Sequence, residues 1–290
     1  MQIKRSVLPV LLSMLMVFAV MTLAAETAYA AIGSGNTSVR DAVITISPLT
    51  YNGYIQKPEI KLVIGQVTLI EGTDYDLEYH NMSSINVGRY RVTIRGKGIY
   101  SGKTIEHYTI EPKKITPEVT LSNTAFVYNG AIQAPDVTAV MDDTVKLTET
   151  KDYRVSYDNV GKDVGSHDVT VTLRDNYSGS AKFTYTISPK GTSLKSLTGG
   201  SKLLKVKWEK QTEQMSTSEI TGYQLKLATD SAFTKNKKTV TVKGFDKASK
   251  KVTKLKGGKK YYVKIRTYKT VDGKKYYSDW SEIRTKKTKK

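Results

Sequence analysis

The chain has 290 residues, and this length predicts two or three domains rather than one large core. It has no cysteine and only three histidines, which excludes disulfide frameworks, thiol nucleophiles, and cysteine-based zinc or iron–sulfur sites. The formal net charge of +19 suggests a polyanionic partner, and the position of that charge along the chain tests this suggestion.

Residues 1–30 have the pattern of a secretory signal peptide. Lys4 and Arg5 precede the uncharged apolar stretch 6–25, and Ala-Tyr-Ala at 28–30 is a small-x-small site for signal peptidase. The stretch is also long enough to stay uncleaved as a membrane anchor, the one case in which we expect membrane association. In both cases the basic residues hold the N-terminus inside and place the remainder in a secreted or cell-surface location. We therefore expect no nucleic acid as partner.

A linker at 31–39 precedes two copies of one module, at 40–113 and 114–190. The copies match in order, with offsets of 77 or 78 residues, at Tyr51-Asn52-Gly53 and Tyr128-Asn129-Gly130, Asp74-Tyr75 and Asp152-Tyr153, Val87-Gly88 and Val164-Gly165, and Tyr100-Ser101-Gly102 and Tyr177-Ser178-Gly179. Alternating or β-branched segments predict short strands, and the Asn-Gly pairs predict hairpin turns. The absence of any ten-residue amphipathic helical pattern favours a small β-sandwich.

The two copies resemble the tandem Ig-like repeats of Gram-positive surface proteins. The first copy carries the Gly-Thr-Asp-Tyr motif intact at 72–75, whereas the second has Glu149-Thr150-Lys151-Asp152-Tyr153 in its place, which predicts an altered turn. The resemblance implies spacer or adhesive modules. Some related repeats are β-grasp-like, and the residues leave both folds open.

The final module, residues 191–290, contains the whole charge imbalance. It has 27 Lys and Arg against 8 Asp and Glu, whereas residues 1–190 have 19 of each. Its sequence resembles a fibronectin type III domain: 204–208 resembles strand B with a buried Trp208, 222–227 resembles strand C, and Tyr261 takes the tyrosine-corner position. The chain is thus predicted to be all-β, with three sandwich modules in tandem.

Period-two alternation predicts a basic, aromatic face on this module. Tyr261, Val263 and Ile265 are expected to point inward, so that the residues between them point outward. The predicted polyanion- or glycan-binding residues are Lys226, Tyr262, Lys264, Arg266, Tyr268, Lys274, Lys275, Tyr276 and Tyr277. Lys205, Lys207 and Lys251 point outward on the opposite sheet, so the alternative is that the lysines serve only solvation and edge protection.

Catalytic motifs are absent from the sequence, and we expect neither enzymatic activity nor a cofactor. His80, His107 and His167 stand apart, without metal-ligand spacing. Asp74, Asp76 and Glu78 could hold a calcium ion by period two, but the second copy lacks this cluster. We interpret Asp74 and Asp152 as acceptors of backbone hydrogen bonds in turns.

These patterns predict an exported, monomeric, non-enzymatic surface protein with no metal site. Two neutral repeats would act as a spacer, and the basic module would associate with anionic wall polymers, extracellular glycans or proteins. A purely structural spacer and a non-catalytic accessory of a wall hydrolase are the alternatives. The sequence has no Leu-Pro-x-Thr-Gly wall anchor, so retention is expected through charge, a partner or the uncleaved leader.

Overall fold

A computed structural model of the chain describes residues 37–158, 161–216 and 218–290. The predicted signal peptide lies outside these residues. The chain divides into two compact units, one reaching to Lys114 and including Asp175–Ser178, the other comprising Ile115–Arg174 and Gly179–Lys290. The module boundaries predicted at 113 and 190 remain predictions. No helix in the described ranges is long and apolar enough to cross a membrane.

The first unit is built from short strands and one 3₁₀ turn, Val39–Asp41. Its strands are β1 (Thr37–Ser38), β2 (Val43–Ile46), β3 (Leu49–Thr50), β4 (Ile60–Ile64), β5 (Val67–Thr68), β6 (Tyr75–Tyr79), β7 (Gly88–Gly96), β8 (Tyr100–Ser101), β9 (Lys103–Glu111) and β10 (Lys113–Lys114). One sheet has the order β2-β4-β5 and the other the order β3-β9-β7-β6. Side chains from both sheets, including Leu62 and Val92, form the core between them.

The second copy has the same topology. Its strands are β11 (Glu118–Leu121), β12 (Ala125–Val127), β13 (Val137–Asp142), β14 (Val145–Lys146), β15 (Tyr153–Asp158), β16 (Gly165–Leu173), β17 (Tyr177–Ser178) and β18 (Ser180–Ser188). The orders β11-β13-β14 and β12-β18-β16-β15 repeat those of the first copy. A β-grasp fold packs an α-helix against its sheet, and no α-helix occurs among the described residues. Each copy is therefore a two-sheet sandwich.

The Asn-Gly pairs do not form the predicted hairpin turns. Gly53 has φ +82°, as expected, and the Asn52 side chain accepts a hydrogen bond from the Tyr54 amide at 2.9 Å. The pair nevertheless lies in the loop between β3 and β4, which belong to different sheets. Asn129 and Gly130 repeat this geometry. The turn chemistry was predicted correctly, but the connection it makes was not.

Asp74 and Asp152 occupy equivalent turns, as predicted. Asp74 is buried and accepts a hydrogen bond from the Ile70 amide at 2.8 Å, and Asp152 accepts one from the Thr148 amide at 2.9 Å. The second copy has Thr150-Lys151 where the first has Gly72-Thr73, and this change does not remove the contact. The carboxylate thus stabilises the turn in both copies.

The final module is a sandwich of a three-stranded and a larger sheet. Its strands are β19 (Leu194–Gly200), β20 (Leu203–Trp208), β21 (Gly222–Ala228), β22 (Lys238–Lys243), β23 (Ser249–Val252), β24 (Lys260–Val271), β25 (Lys274–Tyr277) and β26 (Arg284–Lys287). The sheets have the orders β19-β20-β23 and β22-β21-β24-β25, with β26 also paired to β24. Together with both copies, this module makes the described chain an all-β protein of tandem sandwich modules.

The core of the second unit is continuous from the second copy into the final module. Tyr185 and Ile187 of the second copy belong to the same buried cluster as Trp208 and Tyr223. The Trp208 and Tyr223 rings lie 5.2 Å apart, which agrees with the predicted buried tryptophan. A chain cut at residue 190 would therefore expose part of this core.

Tyr261 has the contact predicted for a tyrosine corner. Its ring is buried, and its hydroxyl accepts a hydrogen bond from the Lys256 amide at 2.9 Å. This contact joins the start of β24 to the loop before it. It also satisfies a backbone donor that the loop leaves unpaired.

We predict that Tyr261→Phe lowers the free energy of unfolding of this unit by about 1–2 kcal/mol, because the Lys256 amide loses its acceptor. Urea unfolding of the full chain, followed by tryptophan fluorescence, measures the change, since both tryptophans lie in the final module. The control is Tyr262→Phe, whose hydroxyl makes no hydrogen bond within the described residues. An equal effect of the two substitutions would contradict the role of the corner.

Candidate functional site

Strand β24 carries the centre of the predicted basic face. Tyr261, Val263 and Ile265 are buried, and Lys264 and Arg266 are half-buried on the opposite side of the strand, as the alternation predicts. Lys226 of β21 lies directly across from Lys264. The structure therefore brings these three cations to one face of the larger sheet.

The outward cations of β24 are stacked between aromatic rings. The Lys264 ammonium lies 4.4 Å from the centre of the Phe233 ring and 5.0 Å from that of Trp280. The Arg266 guanidinium lies 4.4 Å from Trp280 and 3.8 Å from Tyr277. We call these five side chains the cation–aromatic ladder. Such contacts stabilise a fold by about 0.5–2 kcal/mol each.

An interruption between β25 and β26 places Trp280 in the ladder. Both strands pair with β24, whereas residues 278–283 between them leave the regular register. The Ser278 and Ser281 amides still donate to the Thr267 and Ile265 carbonyls, but the Thr267 and Ile265 amides donate to the two serine hydroxyls, each at 3.1 Å. Because the hydroxyls take the place of backbone carbonyl acceptors here, the strand is interrupted between them, and Trp280 in this segment lies over β24.

Burial changes the electrostatics of the two stacked cations. It lowers the pKa of the Lys264 ammonium, and the charges of Lys226 and Arg266 lower that pKa further. Burial also lowers the pKa of the Arg266 guanidinium, which donates a 2.9 Å hydrogen bond to the Gln224 side chain. Both groups have exchanged part of their hydration for contacts within the protein. They are less available to an outside anion than the alternation alone suggested.

Two tyrosines of the predicted site are buried instead of exposed. Tyr268 is 3% exposed because Gly222, Tyr277 and Lys275 cover its ring on the outward face. Tyr276 is 9% exposed, and it belongs to the core of the unit. Neither ring offers a free surface for a sugar or base, so the expectation of exposure was wrong for both.

The remaining predicted residues are spread over a wider area. Lys274 and Lys275 are exposed at the β24–β25 turn, and Lys274 donates a hydrogen bond to the Ser166 hydroxyl at 3.2 Å. The same hydroxyl contacts that of Tyr276 at 2.9 Å. Half-buried Tyr262 lies under the Lys260 ammonium at 5.2 Å. The nine predicted residues thus do not converge on one pocket.

Phe233 and Trp280 are the ladder residues that the alternation argument missed. Phe233 lies in a loop, where period two gives no information. Trp280 follows the sequence Tyr277-Ser278-Asp279, and the pair of serines around it was the available signal, because hydroxyls can replace backbone hydrogen bonds where a strand is interrupted.

Two of the three histidines, and the carboxylates considered for calcium, have other partners. His80 contacts the Thr93 hydroxyl at 2.6 Å, and His167 contacts the Asp163 carbonyl at 2.8 Å. Asp76 pairs with Lys97 and Glu78 with Arg95. In the part of the chain that the structure describes, no group of three or more such side chains is arranged to hold a metal ion.

Comparisons with known proteins add little to this picture. No protein-family model matches the chain, and no curated protein matches it. The FN1–FN3 domains of chicken CNTN1 are similar with a TM-score of 0.32 and 14% identity, over 85% of this chain and 98% of that one. A structure titled as a myokine has a TM-score of 0.26 and 13% identity, over 35% of this chain and 100% of that one. The strand order above describes the fold more closely than these similarities do.

We predict that Trp280→Ala destabilises the second unit by about 1–3 kcal/mol, because it removes the ring that Lys264 and Arg266 share. Urea unfolding followed by the fluorescence of Trp208 measures this change. Lys226→Ala serves as the control, since Lys226 lies on the same face outside the ladder, and we expect it to have little effect. An unchanged midpoint for Trp280→Ala would show that the ladder does not stabilise the module.

Proposed function

We propose that this protein is an extracellular, non-enzymatic modular protein whose basic final module associates with anionic polymers of the cell wall or matrix. The observation that carries this proposal is the confinement of the entire net charge, +19, to residues 191–290. The leader pattern of residues 1–30 supports an extracellular location. The neutral repeats then serve as the spacer that carries the module.

The carboxylates of the module do little to neutralise it. Glu209 pairs with Lys195, Glu213 with Lys190, and Asp246 with Lys247. Asp230 accepts hydrogen bonds from the Thr234 and Lys235 amides in its own loop. The module has 27 Lys and Arg against 8 Asp and Glu, so most of its cations have no acidic partner among the described residues. A surface of this kind attracts polyanions over about a Debye length.

A structural spacer is the second candidate function, and the continuous core of the second unit favours it. Tyr185 and Ile187 of the second copy pack into the same cluster as the core of the final module. Modules that share a core resist bending at their junction. In this interpretation the lysines only keep the surface solvated, and the protein does not bind a polyanion.

Binding of the full chain to poly(glycerol phosphate), a defined polyanion, tests the proposal against dextran as a neutral polymer. We expect binding to the polyanion alone, weakened by at least about tenfold between about 50 and 200 mM salt, because the interaction is screened. Fluorescence anisotropy of a labelled polymer measures the affinity. Truncation at residue 190 is unsuitable because it would expose the shared core.

Equal indifference to both polymers at low salt would reject polyanion association and leave the spacer. Equal binding to both polymers would point to recognition of something other than charge. A binding constant that does not change with salt would also contradict the proposal.

A further inference from the structure

The three-stranded sheet of the final module has an outer face lined with lysines. Lys205 and Lys207 alternate with buried Val206 on β20, and Lys251 of β23 lies directly opposite Lys205. Ser249 of β23 lies directly opposite Lys207, and β23 is an edge of the sheet. We call Lys205, Lys207 and Lys251 the basic sheet face. It lies on the other side of the sandwich from the cation–aromatic ladder.

No acidic or aromatic side chain in the described ranges contacts the ammonium groups of the basic sheet face. None of its three lysines forms an ion pair with any residue in the described ranges, and none stacks on a ring there. Residues directly opposite in an antiparallel pair have Cβ atoms about 4.5–5.5 Å apart, and like charges at such positions destabilise the sheet. The Lys205–Lys251 pair therefore lowers the stability of the sheet when no anion is bound.

An open groove of about 560 Å³ runs along this face. Its lining includes Lys205, Lys250 and Lys251, the hydroxyls of Thr198 and Ser249, and the backbone at Gly199–Gly200. The lining includes neither a carboxylate nor an aromatic ring. Ammonium groups and hydroxyls together supply donors for anionic oxygens, whereas nothing in the groove offers a surface for stacking a sugar or base.

The geometry points to the basic sheet face as the binding site for a linear phosphodiester polymer, an inference that rests on the proposed function and gives it a location. Lys205 and Lys207 are two residues apart on one strand, so their Cα atoms are about 6.5–6.8 Å apart. A polymer lying along β20 can then place successive phosphates near successive ammonium groups. Lysine acts on phosphate as a point charge, without the planar geometry that arginine requires.

The opposite face is less suited to this role. Lys264 and Arg266 are held between rings in the ladder, and burial lowers the pKa of each. An anion would have to compete with these contacts. The lysines of the basic sheet face have no such competitor, and an anion between Lys205 and Lys251 would relieve their repulsion.

Two triple variants with the same change of charge decide between the faces. Lys205→Gln/Lys207→Gln/Lys251→Gln alters the basic sheet face, and Lys226→Gln/Lys274→Gln/Lys275→Gln alters the other sheet. We expect the first variant to lose at least about tenfold in affinity for poly(glycerol phosphate) and its salt slope to fall by about two to three. The second should lose less than about threefold, as expected for long-range charge alone.

Equal losses in the two variants would overturn the inference, because binding would then depend on net charge and not on a face. A larger loss in the second variant would place the site on the other sheet. In both outcomes the wild-type chain still binds, so the proposed function stands. If the wild-type chain does not bind at low salt, the proposed function fails and this inference fails with it.

Lys251→Glu adds a second measurement, the stability of the module, to the measurement of polymer binding. The new carboxylate faces Lys205 across the strand pair, and opposite charges at such positions stabilise a sheet. We expect a higher urea midpoint for unfolding and, at the same time, weaker polymer binding. Lys251→Arg should keep both close to wild type, because it retains the charge. A Lys251→Glu protein that binds as tightly as wild type would contradict the assignment of the site.

Discussion

The alternation of side chains along β24 is the constraint on which the final module depends. Tyr261, Val263 and Ile265 contribute to the core, and their burial fixes the register of the strand. Because the period is two, Lys264 and Arg266 then have to lie outside. A slip by one residue would bury both cations and expose the apolar set, so the register cannot change without loss of the core.

The two faces of this sandwich handle positive charge in different ways. On the larger sheet, the cations of the ladder pack against rings, and a serine-bonded interruption between β25 and β26 positions Trp280 for this purpose. On the smaller sheet, lysines face each other with no matching acid in the described residues. A dense set of cations is therefore not by itself a binding surface. Where cations already pack against aromatic rings of the protein, they are less available to bind an anionic partner.

The continuous core of the second unit connects the basic module firmly to the second copy. The second copy and the final module share one buried cluster, with Tyr185 and Trp208 as large members. Because of this shared core, we expect the lysine-rich module to move little relative to the second copy. The turn carboxylates Asp74 and Asp152 stabilise the copies themselves, which have almost no net charge.

The sequence by itself determined the all-β class, the repeated module, the inward residues of β24, and the place of the net charge. Each of these follows from local periodicity or composition, which do not depend on distant contacts. Only the tertiary structure decided that Tyr268 and Tyr276 are buried, that Asn52-Gly53 joins two sheets, and that Trp280 stacks on Arg266. Alternation states which way a side chain points, whereas the segments that cover it come from elsewhere in the chain. Burial of an outward residue is therefore a property of the assembled fold.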